Sequence, residues 1–256
     1  MTRLAHITDL HFGAEDDAVV KALRDELNRD RPDLVAVSGD LTQGARISEF
    51  RAAKAFLDSL VSPWLAVPGN HDISPYNPME RFVDPYRRWR REISAETAPS
   101  WRNSQVAVVG LNSARRMSLH WDFSRGRVTR RRLGHLLAAL DAEPAERVRV
   151  VVMHHPLLAV EGAPKLRITG GADRALKMFA AHRVTLVLAG HLHRGYLRTT
   201  ETATQQPLVL QGGTATSVRL RGEPNAYNRI FFGADGAPEI STRIWDGFYW
   251  RDASLE

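Results

Sequence analysis

The stretch Val67-Pro68-Gly69-Asn70-His71-Asp72 follows the apolar run Trp64-Leu65-Ala66, so a strand ends in an amide, an imidazole and a carboxylate. Each of these side chains is costly to bury without a partner, and a core strand rarely delivers all three at once. Gly69 is expected to let the backbone bend sharply enough to aim them at one point. Four other apolar strands end in the same manner: Ile7-Thr8-Asp9-Leu10-His11, Val37-Ser38-Gly39-Asp40, Val152-Met153-His154-His155-Pro156 and Leu188-Ala189-Gly190-His191-Leu192-His193.

Outward from these strings the pattern is regular. Val19, Val20, Leu23 and Leu27 mark an amphipathic helix from Asp16 to Leu27, and Asp33 to Val37 is a short apolar strand. Ser48 is expected to cap a helix through Leu60. Three strand-helix units in succession imply parallel strands with helices outside, and ligand sites in such sheets lie beyond the carboxyl ends of the strands, where the polar strings sit. Strands at Gln105 to Leu111, Val148 to Met153 and Thr185 to Ala189, with helices at Thr129 to Leu140 and Ala172 to Ala181, continue the theme. Pro207 to Gln211, Asn228 to Phe232 and Glu239 to Trp245 then form a β-rich return, spanning about 205–250.

An α/β fold is therefore expected, with two mixed β-sheets packed face to face and helices outside, in a single domain over 1–256. Residues 73–101 interrupt the rhythm and read as an insertion, a possible cap. There Pro75, Pro78, Pro85 and Pro99 surround a helical stretch whose Phe82, Tyr86, Trp89 and Ile93 recur at helical spacing.

At 256 residues and 43% hydrophobic the chain can bury a full core. No apolar run approaches the roughly 20 residues of a membrane helix. The first strand begins at once, with no apolar signal segment ahead of it, so the cytoplasm is the expected location. Zero cysteines exclude disulfides, thiolate metal sites and cysteine nucleophiles. The formal charge of +6, from 35 basic and 29 acidic residues, is small for a nucleic-acid binder. It gathers at Arg87 to Arg91, Arg115-Arg116, Arg125 to Arg132 and Arg219 to Arg221, either as solvated helix faces or as a positive rim that steers a phosphate-bearing substrate.

Six of the ten histidines (His11, His71, His154, His155, His191, His193) stand at strand ends beside Asp9, Asp40 and Asn70. Carboxylate, imidazole and amide are the ligands of Mn, Fe or Zn sites that lack thiolate. In Asp9-Leu10-His11 and His191-Leu192-His193 the polar residues alternate with leucine, which on an extended backbone sends both to one side. Asp9, His11, Asp40, Asn70, His154, His191 and His193 are more ligands than one transition metal takes. Two ions roughly 3.5 to 4 Å apart, sharing a carboxylate, fit the count.

The ordered set Asp9-x-His11, Gly39-Asp40, Gly69-Asn70-His71-Asp72, His154-His155-Pro156 and Gly190-His191-x-His193 resembles the calcineurin-like metallophosphoesterase superfamily, over Leu4 to about Arg194. The resemblance implies a four-layer αββα sandwich. By position it implies that Asp9, His11 and His193 hold one metal, Asn70, His154 and His191 the other, and that Asp40 bridges them. It also implies in-line attack on phosphorus by a hydroxide held between the metals, with His71 protonating the leaving oxygen and Asp72 supporting it. His155 is expected to point away from the metals. The Gly39-Asp40-Leu41-Thr42-Gln43-Gly44 loop lacks the second Asp and the Arg of phosphoprotein phosphatases. Together the strings look instead like bacterial cyclic-nucleotide and glycerophosphodiester phosphodiesterases, which implies a small-molecule phosphodiester substrate. A pyrophosphatase or diesterase for a lipid-linked or nucleotide-sugar substrate is the alternative, and a nuclease or nucleic-acid-binding protein the alternative of another class; a homo-oligomer is compatible with either. Substrate choice is expected to lie in Ile73 to Trp101 and Asn112 to Arg127, with Asn112, Arg115, Arg116 and His155 as candidate contacts.

Overall fold

The computed structural model describes residues 1–75, 77–115, 124–159, 168–198 and 207–253. In chain order its elements are β1 (Thr2–Ile7), α1 (Asp17–Asp30), β2 (Leu34–Val37), α2 (Ile47–Asp58), β3 (Trp64–Ala66), α3 (Pro78–Val83), α4 (Arg87–Glu92), β4 (Ser100–Arg102) and β5 (Val106–Leu111). There follow α5 (Arg130–Asp141), β6 (Val148–Met153), α6 (Ala172–Ala181), β7 (Val184–Ala189), β8 (Tyr196–Arg198), β9 (Leu208–Gln211), β10 (Ala226–Phe232), β11 (Pro238–Trp245) and β12 (Trp250–Asp252).

They form two sheets, ordered β12-β11-β10-β1-β2-β3 and β4-β5-β6-β7-β9-β8. In the first, β1, β2 and β3 are parallel and the returning strands antiparallel. In the second, β5, β6, β7 and β9 are parallel, with β4 and β8 antiparallel at the two edges. Strand alternation builds the layers. Leu4, Leu34, Ala36 and Leu65 point from the first sheet at Val108, Val150, Val152, Leu186 and Leu188 of the second, making the central core. Ile7, Val35 and Val37 face outward onto Leu23, Phe50 and Trp89 of α1, α2 and α4. Val109, Val151 and Val187 do the same toward α5 and α6 through Leu133, Leu136 and Phe179. Among the described residues no helix is long and apolar enough to cross a membrane.

Several local readings change. α2 begins at Ile47 with Arg46, not Ser48, at its N-cap; the Glu49 carboxylate accepts the backbone N–H groups of Gly44 and Arg46 in place of a hydroxyl cap. The 73–101 segment holds two short helices, because Asp84 leaves helical geometry at the end of α3. Of its apolar stripe, Tyr86, Trp89 and Ile93 are buried, with Trp89 edge-on to Phe50 at 6.4 Å, while Phe82 is 52% exposed. β4, β8 and β12 have three residues each, too short to show a periodicity of their own.

Toward the carboxyl ends of the strands the central core turns polar. His6, two residues beyond Leu4 on the same face of β1, is buried with Nε2 2.8 Å from Ser38 Oγ and Nδ1 3.3 Å from the Asn228 amide. Burial drives its pKa down to about 3, against the pull of the Asp9 carboxylate. Because this lies below the ordinary value, neutral His6 contributes stability that is full above about pH 6.5 and lost as the pH falls from there through about 3. The fall in Tm between pH 7 and pH 5 is therefore expected to be smaller in His6→Gln than in the unaltered protein. Equal falls would show that His6 does not limit acid stability.

Candidate metal centre

Five loops, at the ends of β1, β2 and β3 in one sheet and β6 and β7 in the other, converge where the two sheets meet. Asp9 Oδ1 lies 3.3 Å from His193 Nε2 and 3.6 Å from His11 Nε2, and the two ring nitrogens are 3.2 Å apart. Beside this triangle, Asp40 Oδ2 lies 3.7 Å from His11 Nε2 and 3.2 Å from His154 Nε2, which in turn is 3.3 Å from Asn70 Oδ1. The His191 ring stands edge-on to His154 at 5.2 Å. Asp9, His11, Asp40, His154 and His193 are almost wholly buried.

These spacings suit cations. Ligands about 2.1 Å from an ion stand about 3.0 to 3.4 Å from one another in octahedral or tetrahedral arrangements. Asp9 Oδ1 is buried with no hydrogen-bond donor, an orphaned carboxylate oxygen that a cation would satisfy. The imidazoles are already oriented. His154 Nδ1 is 2.8 Å from the Ser38 carbonyl and His193 Nδ1 3.0 Å from that of Arg219, so each Nδ1–H donates to backbone and leaves Nε2 as the lone pair facing the site. Triplets of ligand atoms within 4.8 Å of one another are formed by Asp9, His11 and His193, by Asp9, Asp40 and His154, by His11, Asp40 and His71, and by His154, His155 and His191.

The family follows from the chain as a whole. Residues 2–195 match the model of the calcineurin-like phosphoesterases. The chain belongs to this family. As a calcineurin-like phosphoesterase it is a metal-dependent phosphoric ester hydrolase, similar at 27% identity over 212 residues to a probable cyclic nucleotide phosphodiesterase of Synechococcus, covering 76% of this chain and 74% of that one. It is 26% identical over 166 residues to a probable glycerophosphodiester phosphodiesterase of Arcobacter nitrofigilis, covering 64% of this chain and 58% of that protein. Among solved structures, the fold is shared with a dimetal phosphatase of Danio rerio (14% identity, 100% and 99% covered, TM-score 0.67). It is also shared with a purple acid phosphatase from yellow lupin (12% identity, 98% of this chain and 52% of that one, TM-score 0.71).

The phosphoesterase loops reach this geometry through strain, not through extended strands. Asp9, His11, Asp40, His191 and His193 all have positive φ, between 49° and 83°, which corrects the expectation that strand alternation aims the paired ligands. Leu10 and Leu192 nevertheless return to the core. A polar collar after β9 holds the first loop: Thr214 Oγ1 donates to the Asp9 carbonyl, Thr216 Oγ1 to that of Leu10, and the Ala215 N–H to that of Thr8. Gly69 has no positive φ among the glycines; its role is close approach, since a Cβ there would overlap the Asp40 carboxylate.

Asp72 is buried and accepts from the N–H groups of Leu41, Thr42 and Gly69 and from Thr42 Oγ1, tying the β2 and β3 loops together. His71 is half-buried; its N–H donates to Asp40 Oδ1, and its Nδ1 lies 2.7 Å from the Gln43 carbonyl, leaving Nε2 toward the cleft. His155 does not turn away as expected. Its ring lies 4.9 Å from that of His191, pinned by Ser113 Oγ at 2.8 Å from Nδ1 and by Gly126 packed on the ring. Asn112 is buried, its side-chain oxygen accepting the Ala114 N–H and lying 3.2 Å from Tyr86 Oη, so it is engaged within the protein. Arg115 lines an adjoining cleft, and Arg116 lies outside the described residues.

Burial opposes charge throughout the site, yet the contacts of His11 and His193 hold Asp9, and the proximity of His154 holds Asp40, well below the usual carboxylate range. Burial also opposes protonation of His154, but the Asp40 carboxylate overrides it and raises His154 to about 9. Burial and the charge of His154 lower His191 to about 4. Imidazole binds a cation only in its neutral form, so a cation held by His154 would bind with release of a proton.

Sequence reading placed Arg219 only in a basic rim. Its carbonyl orients His193, its guanidinium reaches Gln43 Oε1 at 3.2 Å, and its charge acts on His11, as that of Arg221 does on His191. Gly69→Ala is expected to strip bound metal by displacing Asp40, as measured by elemental analysis after gel filtration. Gly134→Ala, where nothing lies within 4 Å of the added methyl, serves as the control. Full metal content in Gly69→Ala would show that the close approach is dispensable.

Proposed function

We propose that this chain is a binuclear metal-dependent phosphodiesterase acting on small phosphodiesters of the cyclic-nucleotide or glycerophosphodiester type. The observation that carries the reading is the position of Asp40 Oδ2, within 3.2 Å of His154 Nε2 and 3.7 Å of His11 Nε2, so that one carboxylate serves both halves of the site. The printed functions of the Synechococcus and Arcobacter relatives support the substrate class. Asp9, His11 and His193 would hold one ion and Asn70, His154 and His191 the other, with Mn, Fe or Zn suited to this donor set.

Bound cations supply an activated water and neutralise charge on phosphoryl oxygens. The chain's own groups do the rest. His71, anchored through Nδ1, presents Nε2 to the departing ester oxygen and delivers a proton there, a role typically worth ~10²- to 10⁴-fold. Asp72 fixes the loop that sets this direction. Arg219 and Arg221, whose charges act on His11 and His191, attract the anionic substrate. A lipid-linked or nucleotide-sugar diphosphate is the second reading, favoured by the exposed Met79, Phe82 and Val83 of α3.

Metal-reconstituted protein is expected to hydrolyse cyclic nucleotides or glycerophosphodiesters faster than nucleotide sugars or RNA; the reverse order would replace the first reading with the second or with a nuclease. Asp40→Ala is expected to lower metal content from two ions per chain and to abolish turnover, and a fully active preparation with one ion would sink the binuclear assignment. His71→Ala should retain its metal but slow diesters with poor leaving groups at least tenfold more than those with good ones. Equal losses across the leaving-group series would exclude proton delivery by His71.

A further inference from the structure

Across the Asn112 to Arg115 loop from the candidate metal centre, a cleft of about 730 Å³ is lined by Pro85, Tyr86, Ala114, Arg115, Arg127, Thr129, Arg131 and Arg132. Four of its lining residues are arginines and none is acidic. Among the described residues, no carboxylate forms an ion pair with Arg127, Arg131 or Arg132. The cleft is also built, not merely exposed. The Arg132 guanidinium donates to the carbonyls of Asn112 and Ala114 at 2.9 and 2.8 Å, and Tyr86 Oη donates to the Ala114 carbonyl at 2.9 Å. Neutral acceptors fix that guanidinium in place without cancelling its charge.

Position links the cleft to the reaction. β5 and β6 pair in parallel with Leu111 opposite Met153, so the two chains leave the sheet side by side, and Ser113 Oγ lies 2.8 Å from His155 Nδ1 and accepts the His155 N–H. The Arg127 N–H donates to the Ser113 carbonyl, and Ser113 Oγ contacts His155, so one wall separates Arg127 from the histidine cluster. The first turn of α5 carries Arg130, Arg131 and Arg132 and no acid; α4, which begins with Arg87 and Arg88, also lacks one, whereas α1, α2, α3 and α6 each begin with an acid. Three cations at the positive end of a helix cost stability, a cost that an anion bound in the cleft would offset.

Resting on the phosphodiesterase reading, we infer that the cleft is a subsite for a second phosphate. The substrate is then a phosphodiester one of whose ester arms bears a further phosphate group, clamped by Arg127 and Arg131 while the diester sits on the metals. Guanidinium forks match phosphate oxygens bidentately, and a phosphate on the arm makes the discrimination a matter of binding and not of chemistry.

The test compares two diesters that differ only in a phosphate monoester on one arm, using the metal-loaded protein. Arg127→Glu/Arg131→Glu replaces two exposed side chains outside the ligand set. It is expected to lower the ratio of kcat/KM for the phosphorylated over the plain diester about 10- to 100-fold, the size of one or two lost charged hydrogen bonds. The loss should fall mainly in KM. Lys21→Glu/Arg24→Glu on α1 changes the net charge equally and should leave the ratio unaltered. An unchanged ratio in the first variant, or an equal fall in both, overturns the subsite. Independently, pyrophosphate should slow phenylglyoxal modification of Arg127 and Arg131 about fivefold or more, read by mass spectrometry, with Arg24 unaffected; no protection overturns it as well. If no diester is turned over at all, the phosphodiesterase reading fails by itself, and protection still decides the anion site.

Discussion

A buried carboxylate, Asp40, sits between imidazoles from both sheets, and the architecture around it can be understood as what keeps it there. It is 1% exposed, in left-handed backbone, and its two oxygens are divided between tasks. Oδ1 accepts the His71 N–H, and Oδ2 faces His154 and His11. An ionised group in this position is unfavourable without partners. The close approach at Gly69, the Asp72 strut under the same loop and the parallel pairing of β1, β2 and β3 all serve to hold that one side chain between two clusters of nitrogen.

The second dependence is on strain. Non-glycine residues in the left-handed region cost on the order of 1 to 3 kcal/mol each, and five of the seven proposed ligands occupy it. Such a loop survives only if its surroundings over-determine it. For Asp9 to His11 the surroundings come from about 200 residues away, where Thr214, Ala215 and Thr216 hydrogen-bond to three consecutive carbonyls. The β-rich return therefore does more than complete a sheet. By bringing β9 beside β7 and β10 beside β1, it delivers the collar that makes the first ligand loop possible.

Much of this was legible in the sequence, because strands buried on both faces write themselves as apolar runs and their ends as abrupt polar strings. Val148 to Met153 and Ala172 to Ala181 were read with the boundaries found. The motif residues also came together in space as a set. What escaped was of two kinds. Three-residue edge strands and the break between α3 and α4 lack the length for a period to show. The supporting contacts escaped for a different reason: Ser38, Thr214 and Arg219 act through backbone carbonyls or single hydroxyls, and no residue type announces that. The conformation of the ligands was misjudged on similar grounds, since alternation of Asp9, Leu10 and His11 is consistent with a strand or with alternating left-handed turns.

The charge distribution ties these levels together. The centre itself contributes two carboxylates held ionised, Asp9 and Asp40, and compensates them locally with imidazoles. Arginines would compete with bound cations if they entered that shell, and here they stand outside it, on the Arg219-Arg221 lip and along the β5 to α5 wall. On the proposed reading an anionic substrate would meet these arginines before it reached the inner cluster of carboxylates and imidazoles. On the proposed reading, separating the two kinds of positive charge in this way would let the inner set treat any phosphoryl group alike and leave discrimination to the outer one. The outer residues lie on loops and a helix end, the places where a fold of this kind varies while its inner centre is kept, so on this reading one centre would be matched to different esters by changing the wall.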